Sequence, residues 1–278
     1  GYFNVILEGG TTQVYPLRWQ RNPIFPDMMQ PEPLAHNLGG LSDAVTNRGA
    51  AIGLALDGDG DRLGVVDENG IFLTTHQVFT LLVWYLLEVR NHRGPLVKSI
   101  TMTSMIDRLG KLYGVPVHET PVGFKYLGPV MEETDALAGG EESGGYAFQG
   151  HIPERDGIVS GLYLLDFMVR TGKSLSQLIT EMYSILGQHY FQRHDLHFHA
   201  TSREAIQSRL EQSFPEALAS VPVQSIDKMD GIRFQLENGS WGLVRFSGTE
   251  PLLRIYAEAT SRNDARDIIA ALRDIAGL

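Results

Sequence analysis

The chain contains no cysteine, which removes disulfides, thiol nucleophiles and thiolate metal sites from consideration and leaves the redox compartment open. Positive charge is also scarce: 23 lysines and arginines stand against 33 aspartates and glutamates, a formal net charge of −10. So acidic a body argues against general binding to nucleic acid or to an anionic membrane surface, and any phosphate it receives must meet arginines gathered locally. Long apolar runs are missing. The longest, FTLLVWYLLEV from Phe79, is about half of the ~20 residues a membrane span requires and already contains Glu88, so it reads as a buried helix. No repeats or low-complexity tracts occur. The opening residues, GYFNVILEGG, hold neither an initiator Met nor a basic signal-like segment, as a fragment would begin.

What is present is ordinary globular material, 43% hydrophobic and 20% charged over 278 residues, enough chain for two or three domains. Leu38, Leu41 and Val45 recur at helical spacing up to a stop at Gly49, and AAIGLAL then reads as a strand. LGVVDENGIFL reads as two short strands turning at Glu68-Asn69-Gly70. A helix follows with Thr75 as its expected N-cap, and strands alternate with helices as far as the helix DGIVSGLYLLDFMVRTG. That alternation predicts an α/β layered architecture. From about Gly187 the texture changes to β-α-β-β-β-α, with a hairpin turn at Asn238-Gly239, which predicts a small α+β domain of roughly ninety residues. RNPIFPDMMQPEP, with four prolines, reads as an extended surface loop.

Several loops carry residues suited to chemistry. DGDGDR places Asp57, Asp59 and Asp61 at alternate positions with only glycine between them, so three carboxylates can converge on a hard cation such as Mg²⁺. A calcium loop is the rival, since Asp57, Asp59, Asp61 and Glu68 fall at positions 1, 3, 5 and 12 of that pattern. Arg62 stands where that pattern needs glycine, and the flanks read as strands. GGEESGG offers Glu141 and Ser143, a carboxylate and a hydroxyl of the kind that hold adjacent sugar hydroxyls, although a polar hairpin turn would look the same. RFSGTEP combines Arg245, the hydroxyls of Ser247 and Thr249, and amides loosened by Gly248, a reasonable phosphate nest or an ordinary capped loop. Lys125 stands at a helix start, where its ammonium and free amides favour an anion. In HIPERDGI, His151, Arg155 and Asp156 bring mixed charge before a helix, with Asp156 readable as its N-cap. His194, His197 and His199 read as a polar strand face.

Taken in order, DGDGDR, VGFKY, GEESGG, PERDGI and RFSGTEP resemble the loops of the α-D-phosphohexomutase family, along essentially the whole chain. The resemblance implies two mixed-sheet α/β domains, the first incomplete, followed by a small α+β C-terminal domain. The expected divisions are 1–74 with the metal loop, 75–187 with the sugar-specificity loop and 188–278 with the phosphate loop. It implies a cytoplasmic isomerase of four domains around a central cleft, in which a phosphoserine donates its phosphoryl group to a hexose phosphate. The hexose 1,6-bisphosphate intermediate then reorients and returns its other phosphate. Carried over residue by residue, Asp57, Asp59 and Asp61 would bind Mg²⁺ together with a phosphoserine oxygen, and Arg62 would face the transferred group. Lys125 would contact substrate or move a proton. Glu141 and Ser143 would hold sugar hydroxyls, and Arg245, Ser247, Gly248 and Thr249 the phosphate that does not react.

The sequence also departs from the family. A Ser-His-Asn-Pro phosphoserine loop occurs nowhere in it, so the resemblance leads one to expect a C-terminal portion that lacks the N-terminal domain of the same protein and is inactive alone. GEESGG is closer to the glucose and mannose enzymes than to the GEQSGH of phosphoglucosamine mutases, which remain an alternative. Two further classes stay open. One is a haloacid-dehalogenase-type phosphatase, disfavoured because glycine follows the paired aspartates, and the other is a non-catalytic sugar-phosphate binding module.

Overall fold

The computed structural model describes residues 1–28, 30–198, 203–213, 215–247 and 251–278. The expected site residues Gly248 and Thr249, and His199, lie outside the described residues. Contacts divide the chain into two compact units. The first comprises Gly1–Met102, Ile106–Glu119 and Gly123–Met182, and the second Thr103–Met105, Thr120–Val122 and Tyr183–Leu278.

The first unit opens with a short helix α1 (Tyr2–Ile6) and the proline-rich segment, whose described residues form turns but no helix or strand. Helix α2 (Gly39–Arg48) ends on Gly49 at φ +61°, the left-handed stop expected of it. Strands β1 (Ile52–Leu56), β2 (Leu63–Asp67) and β3 (Phe72–Leu73) form an antiparallel sheet in that order. Leu56 pairs with Leu63, so the acidic stretch between them is itself the hairpin connection. The next turn closes because Asp67 Oδ1 accepts from the amides of Asn69 (2.9 Å) and Ile71 (2.8 Å).

Helix α3 (Thr75–Trp84) is capped by Thr74 rather than by Thr75. A capping box requires its Glu or Gln at the third helical position, and Gln77 occupies that position only when counted from Thr74. Thr75 is left to donate its hydroxyl to the Glu142 carbonyl at 2.8 Å. The helix continues into a π-helical turn, Tyr85–Val89, and is buried almost all round, as its apolar run predicts. Then come β4 (Leu96–Ser99), α4 (Met105–Tyr113), β5 (Val117–Thr120), α5 (Phe124–Thr134), β6 (Ala138–Gly140), β7 (Tyr146–Phe148) and α6 (Gly157–Thr171). The sheet order is β5-β4-β6-β7, with β4 and β6 parallel and β6 and β7 antiparallel, the mixed sheet of an α/β layer. Asp156 caps α6 as expected, its Oδ1 accepting from Ile158 and Val159 at 2.8 and 2.9 Å. Helix α7 (Leu175–Leu186) was not anticipated, although Leu175, Leu178, Met182 and Leu186 are buried at helical spacing.

The second unit contains β8 (Tyr190–His197), α8 (Arg203–Gln212), β9 (Ala217–Leu218), β10 (Val221–Asp227), β11 (Ile232–Leu236), β12 (Trp241–Phe246), β13 (Leu252–Ala259) and α9 (Arg262–Ala276). Its sheet is antiparallel throughout, in the order β8-β13-β12-β11-β10-β9. Phe234, Leu253, Ile255 and Ala257 meet Ile268 and Leu272 of α9 in its core. Strands β9 and β10 add to the expected pattern; β10 carries Pro222 and exposed polar residues, which weakens its signal in the sequence. The hairpin turns at Asn238-Gly239, with Gly239 at φ +82°.

Candidate functional site

The loop between β1 and β2 folds back on itself because Asp57 Oδ1 accepts from the amides of Gly60 (3.0 Å) and Arg62 (3.1 Å), and because Gly60 adopts φ +80°. One carboxylate oxygen each from Asp57, Asp59 and Asp61 then lies within 4.8 Å of the others. Burial, with the hydrogen bond and charge of Asp61 and the charge of Asp59, pushes the Asp57 carboxyl up to about 6, against the Arg62 amide that pulls it down. An all-oxygen donor set under mutual repulsion fits a hard divalent cation. The calcium-loop rival fails in space: Glu68 instead accepts the hydroxyls of Ser174 and Ser176.

Arg62 sits at the edge of this cluster. Its Nη1 is 2.8 Å from Glu32 Oε1, and its Nε lies 3.5 Å from Asp57 and 3.8 Å from Asp61. Burial works against its charge, and Glu32 with the two aspartates more than restores it. Glu32 comes from the proline-rich segment, which is a loop as expected but turns at Phe25 and Asp27 (φ +46° and +67°) instead of running extended, and is anchored onto the acidic loop. Asn37 Nδ2 holds the Gln30 and Glu32 carbonyls at 2.9 and 2.8 Å, and the Phe25 ring and the Pro33 carbonyl close over Gly58 and Gly64.

Three further loops of the first unit gather around the triad. The Leu63 amide donates to the Gly144 carbonyl at 3.0 Å and Arg62 bridges Gly145, which joins the acidic loop to GEESGG. The Gly157 amide donates to the Gly60 carbonyl at 3.0 Å, which brings in PERDGI. Arg155 Nη2 lies 2.5 Å from Asp61 Oδ2, and its Nη1 lies 3.4 Å from Glu141 Oε2. Glu141 is only 4% exposed, and its Oε1 accepts from the Gly123 amide at 2.8 Å, so both of its oxygens face protein donors. Burial raises its carboxyl, while Arg155 and the Gly123 amide draw it back. Ser143 Oγ is buried without a hydrogen-bond partner, an orphan that a sugar hydroxyl could satisfy.

Lys125 is exposed at the start of α5, its ammonium 4.9 Å from the Tyr126 ring centroid. It borders a shallow groove of about 580 Å³ lined also by Gly123, Pro153 and Arg155. In the second unit, Arg245 on β12 is mostly buried and bonds Asp230 through Nε at 2.8 Å. Ser247 beside it is 3% exposed, with its amide on the Leu252 carbonyl. His194 and His197 lie along β8, and among the described residues the acidic triad is the one His, Asp and Glu cluster with metal-site geometry. Glu32, Arg155 as a bridge and Asp230 were not anticipated as site residues.

The close approach of α6 to the acidic loop depends on Gly157. A Cβ there would stand 2.7 Å from Leu56 Cδ2, 2.8 Å from the Arg62 carbonyl and 2.9 Å from the Gly60 carbonyl. Gly157→Ala is expected to cost about 1–3 kcal/mol, as overpacking does, and to weaken binding of whatever divalent cation the displaced aspartate loop can hold. Urea denaturation and calorimetric titration check this; an unchanged midpoint would show that the loop yields freely.

A mixed α/β unit bearing a carboxylate triad beside a glycine-rich loop, followed by an antiparallel α+β unit, defines a layered multidomain protein with a cluster that could hold a divalent cation. The chain belongs to the phosphoglucomutase/phosphomannomutase family of α-D-phosphohexomutases: the family's α/β/α domain II matches residues 2–70, its α/β/α domain III residues 74–185 and its C-terminal domain residues 203–275. A phosphoglucomutase/phosphomannomutase of Thermococcus kodakarensis is 34% identical over 239 residues, covering 86% of this chain and 50% of that protein. A phosphoglucosamine mutase of Streptococcus thermophilus is 32% identical over 242 residues, covering 84% and 49%. The crystal structure of a candidate phosphomannomutase from Thermus thermophilus is similar with a TM-score of 0.74 at 34% identity, covering 89% of this chain and 51% of that one. The chain spans about half the length of the curated relatives it matches. Among the described residues no helix is long and apolar enough to cross a membrane.

Proposed function

We propose that this chain supplies the metal, sugar and phosphate loops of a phosphohexomutase. The whole enzyme interconverts hexose 1-phosphate and hexose 6-phosphate, of glucose or mannose, through a phosphoserine and a hexose 1,6-bisphosphate. The observation that carries this reading is the convergence of the Asp57, Asp59 and Asp61 oxygens within 4.8 Å, tied through Arg155 to Glu141 of the sugar loop. A Mg²⁺ ion held by the three aspartates would offset two of their three negative charges and draw charge from a phosphoryl oxygen. Arg62, charged and beside the triad, offers donors to the transferred group, where charge develops. Lys125 contacts substrate or moves a proton, and Glu141 with Ser143 selects sugar hydroxyls. Arg245, Ser247, Gly248 and Thr249 hold the phosphate that does not react, with Asp230 relinquishing Arg245 to it. The divisions proposed for these roles remain 1–74, 75–187 and 188–278.

Isothermal titration of the chain with glucose 1-phosphate and mannose 1-phosphate tests the reading. Binding is expected, and Arg245→Ala should weaken it about tenfold or more, the worth of one charge-assisted hydrogen bond. Absence of binding, or an unaffected variant, would overturn the phosphate assignment. The similarity to phosphoglucosamine mutases supports a second reading, in which glucosamine 1-phosphate binds better than either.

A further inference from the structure

Arg155 belongs to none of the three principal loops, yet it touches two of them. Its side chain is about one-fifth exposed and crosses the bare Cα of Gly145, where a Cβ would stand 2.2 Å from Arg155 Cδ. The guanidinium lies 5.5 Å from the Phe124 ring centroid at the start of α5. One terminal nitrogen meets Asp61 at 2.5 Å and the other Glu141 at 3.4 Å. Its own backbone is fixed next door, since the Asp156 amide donates to the Tyr146 carbonyl at 2.9 Å and the Asp156 side chain caps α6.

This arrangement suits a fork and not a point charge. A guanidinium offers two diverging donors in one rigid plane, so it can fix two carboxylates relative to each other, whereas an ammonium would follow one of them. By holding Oδ2 of Asp61 it also determines where the other oxygen of that carboxylate points. Arg155 does not discharge the neighbourhood. Among the ion pairs of the described residues, Asp57, Asp61, Glu32, Glu141 and Glu154 share Arg62 and Arg155, with Asp59 beside them, which leaves the surroundings anionic and receptive to a cation.

We propose that Arg155 is a positioning residue that couples cation binding at the aspartate triad to the placement of Glu141 in the sugar loop. The proposal rests on the reading of the triad as a divalent-cation site. When a cation fixes Asp61, the guanidinium is fixed with it, and Glu141 is held for sugar hydroxyls. When Arg155 is lost, the two loops report to each other only through backbone contacts.

The experiment is a Mg²⁺ titration by calorimetry, with Mn²⁺ as a paramagnetic probe, on the 278-residue chain and its Arg155→Gln, Glu141→Gln and doubly substituted variants. Arg155→Gln is expected to weaken Mg²⁺ about 10- to 100-fold, as loss of a carboxylate's outer partner does. Glu141→Gln, which removes no metal ligand, should alter Mg²⁺ affinity about threefold or more in the parent and not in the Arg155→Gln background, a non-additivity that general loosening would not produce. Arg155→Lys carries the test if Arg155→Gln does not fold, and should recover part of the affinity without the coupling. Equal or tighter Mg²⁺ binding by Arg155→Gln, or strict additivity, would overturn the proposal while leaving the metal site standing. A parent chain that binds neither ion would overturn both.

Discussion

Alanine at Phe79 is expected to cost about 3–5 kcal/mol, the usual toll of an aromatic truncated inside a packed core, and to loosen the GEESGG loop along with it. Phe79 is fully buried on α3 and stacks on Tyr146 with ring centroids 5.4 Å apart and planes 6° apart. Its ring presses onto Gly140, where a Cβ would stand 2.6 Å from Cε2, and Tyr146 in turn donates to the Thr75 carbonyl at 2.8 Å. Gly140, the first residue of GEESGG, ends β6, and Tyr146, just after the motif, begins β7, so the ring supports both ends of the loop that carries Glu141 and Ser143. Against a domain stability of about 5–15 kcal/mol the loss is a large fraction. Urea denaturation should show the shift, and hydrogen exchange should locate it: amides of β4, β6 and β7 lose protection while those of β13 keep theirs. A loss below about 1 kcal/mol would mean that neighbouring side chains refill the space.

Local pattern carried most of the secondary structure. Apolar periodicity at Leu38, Leu41 and Val45 marks α2, and the Asn238-Gly239 turn marks its hairpin, because those signals depend on residues a few positions apart. Two further local signals lie in the sequence. The Gln77 spacing marks Thr74 as the cap, and Leu175, Leu178, Met182 and Leu186 mark α7. The acidic triad is legible because its carboxylates are neighbours in sequence. Glu32, Arg155 and Asp230 are not, since each acts on a partner far along the chain. Arg62 is thirty residues from Glu32, and Arg245 is fifteen from Asp230. Nothing in an isolated glutamate among prolines signals that its segment will be pinned over Gly58 and Gly64. Nor does the composition of GEESGG reveal that Glu141 is buried and held by the Gly123 amide.

Asp57→Asn should reverse its effect on stability according to whether Mg²⁺ is present. The Asp57 carboxyl is raised from its ordinary 3.8 to about 6, chiefly by burial and then by Asp61 and Asp59. A carboxyl raised on folding lends stability that is fully present below about 3.8 and is lost as pH rises through about 6. In chelator, therefore, the parent should fall increasingly behind the asparagine variant between pH 4 and pH 7. Asparagine has no charge to lose, and its amide oxygen can still accept from Gly60 and Arg62. Mg²⁺ needs the ionised carboxylate, so its affinity for the parent should rise with pH up to about 6 and then level off. At a hundredfold excess over Kd the cation adds about 2.7 kcal/mol to the parent, and far less to a variant that has lost a ligand. Melting curves of both chains at pH 5 and pH 7, with chelator and with Mg²⁺, test the reversal. A variant that melts below the parent in chelator at pH 7 would show that the carboxylate is already compensated by Arg62. Equal stabilisation of both by Mg²⁺ would place the cation elsewhere.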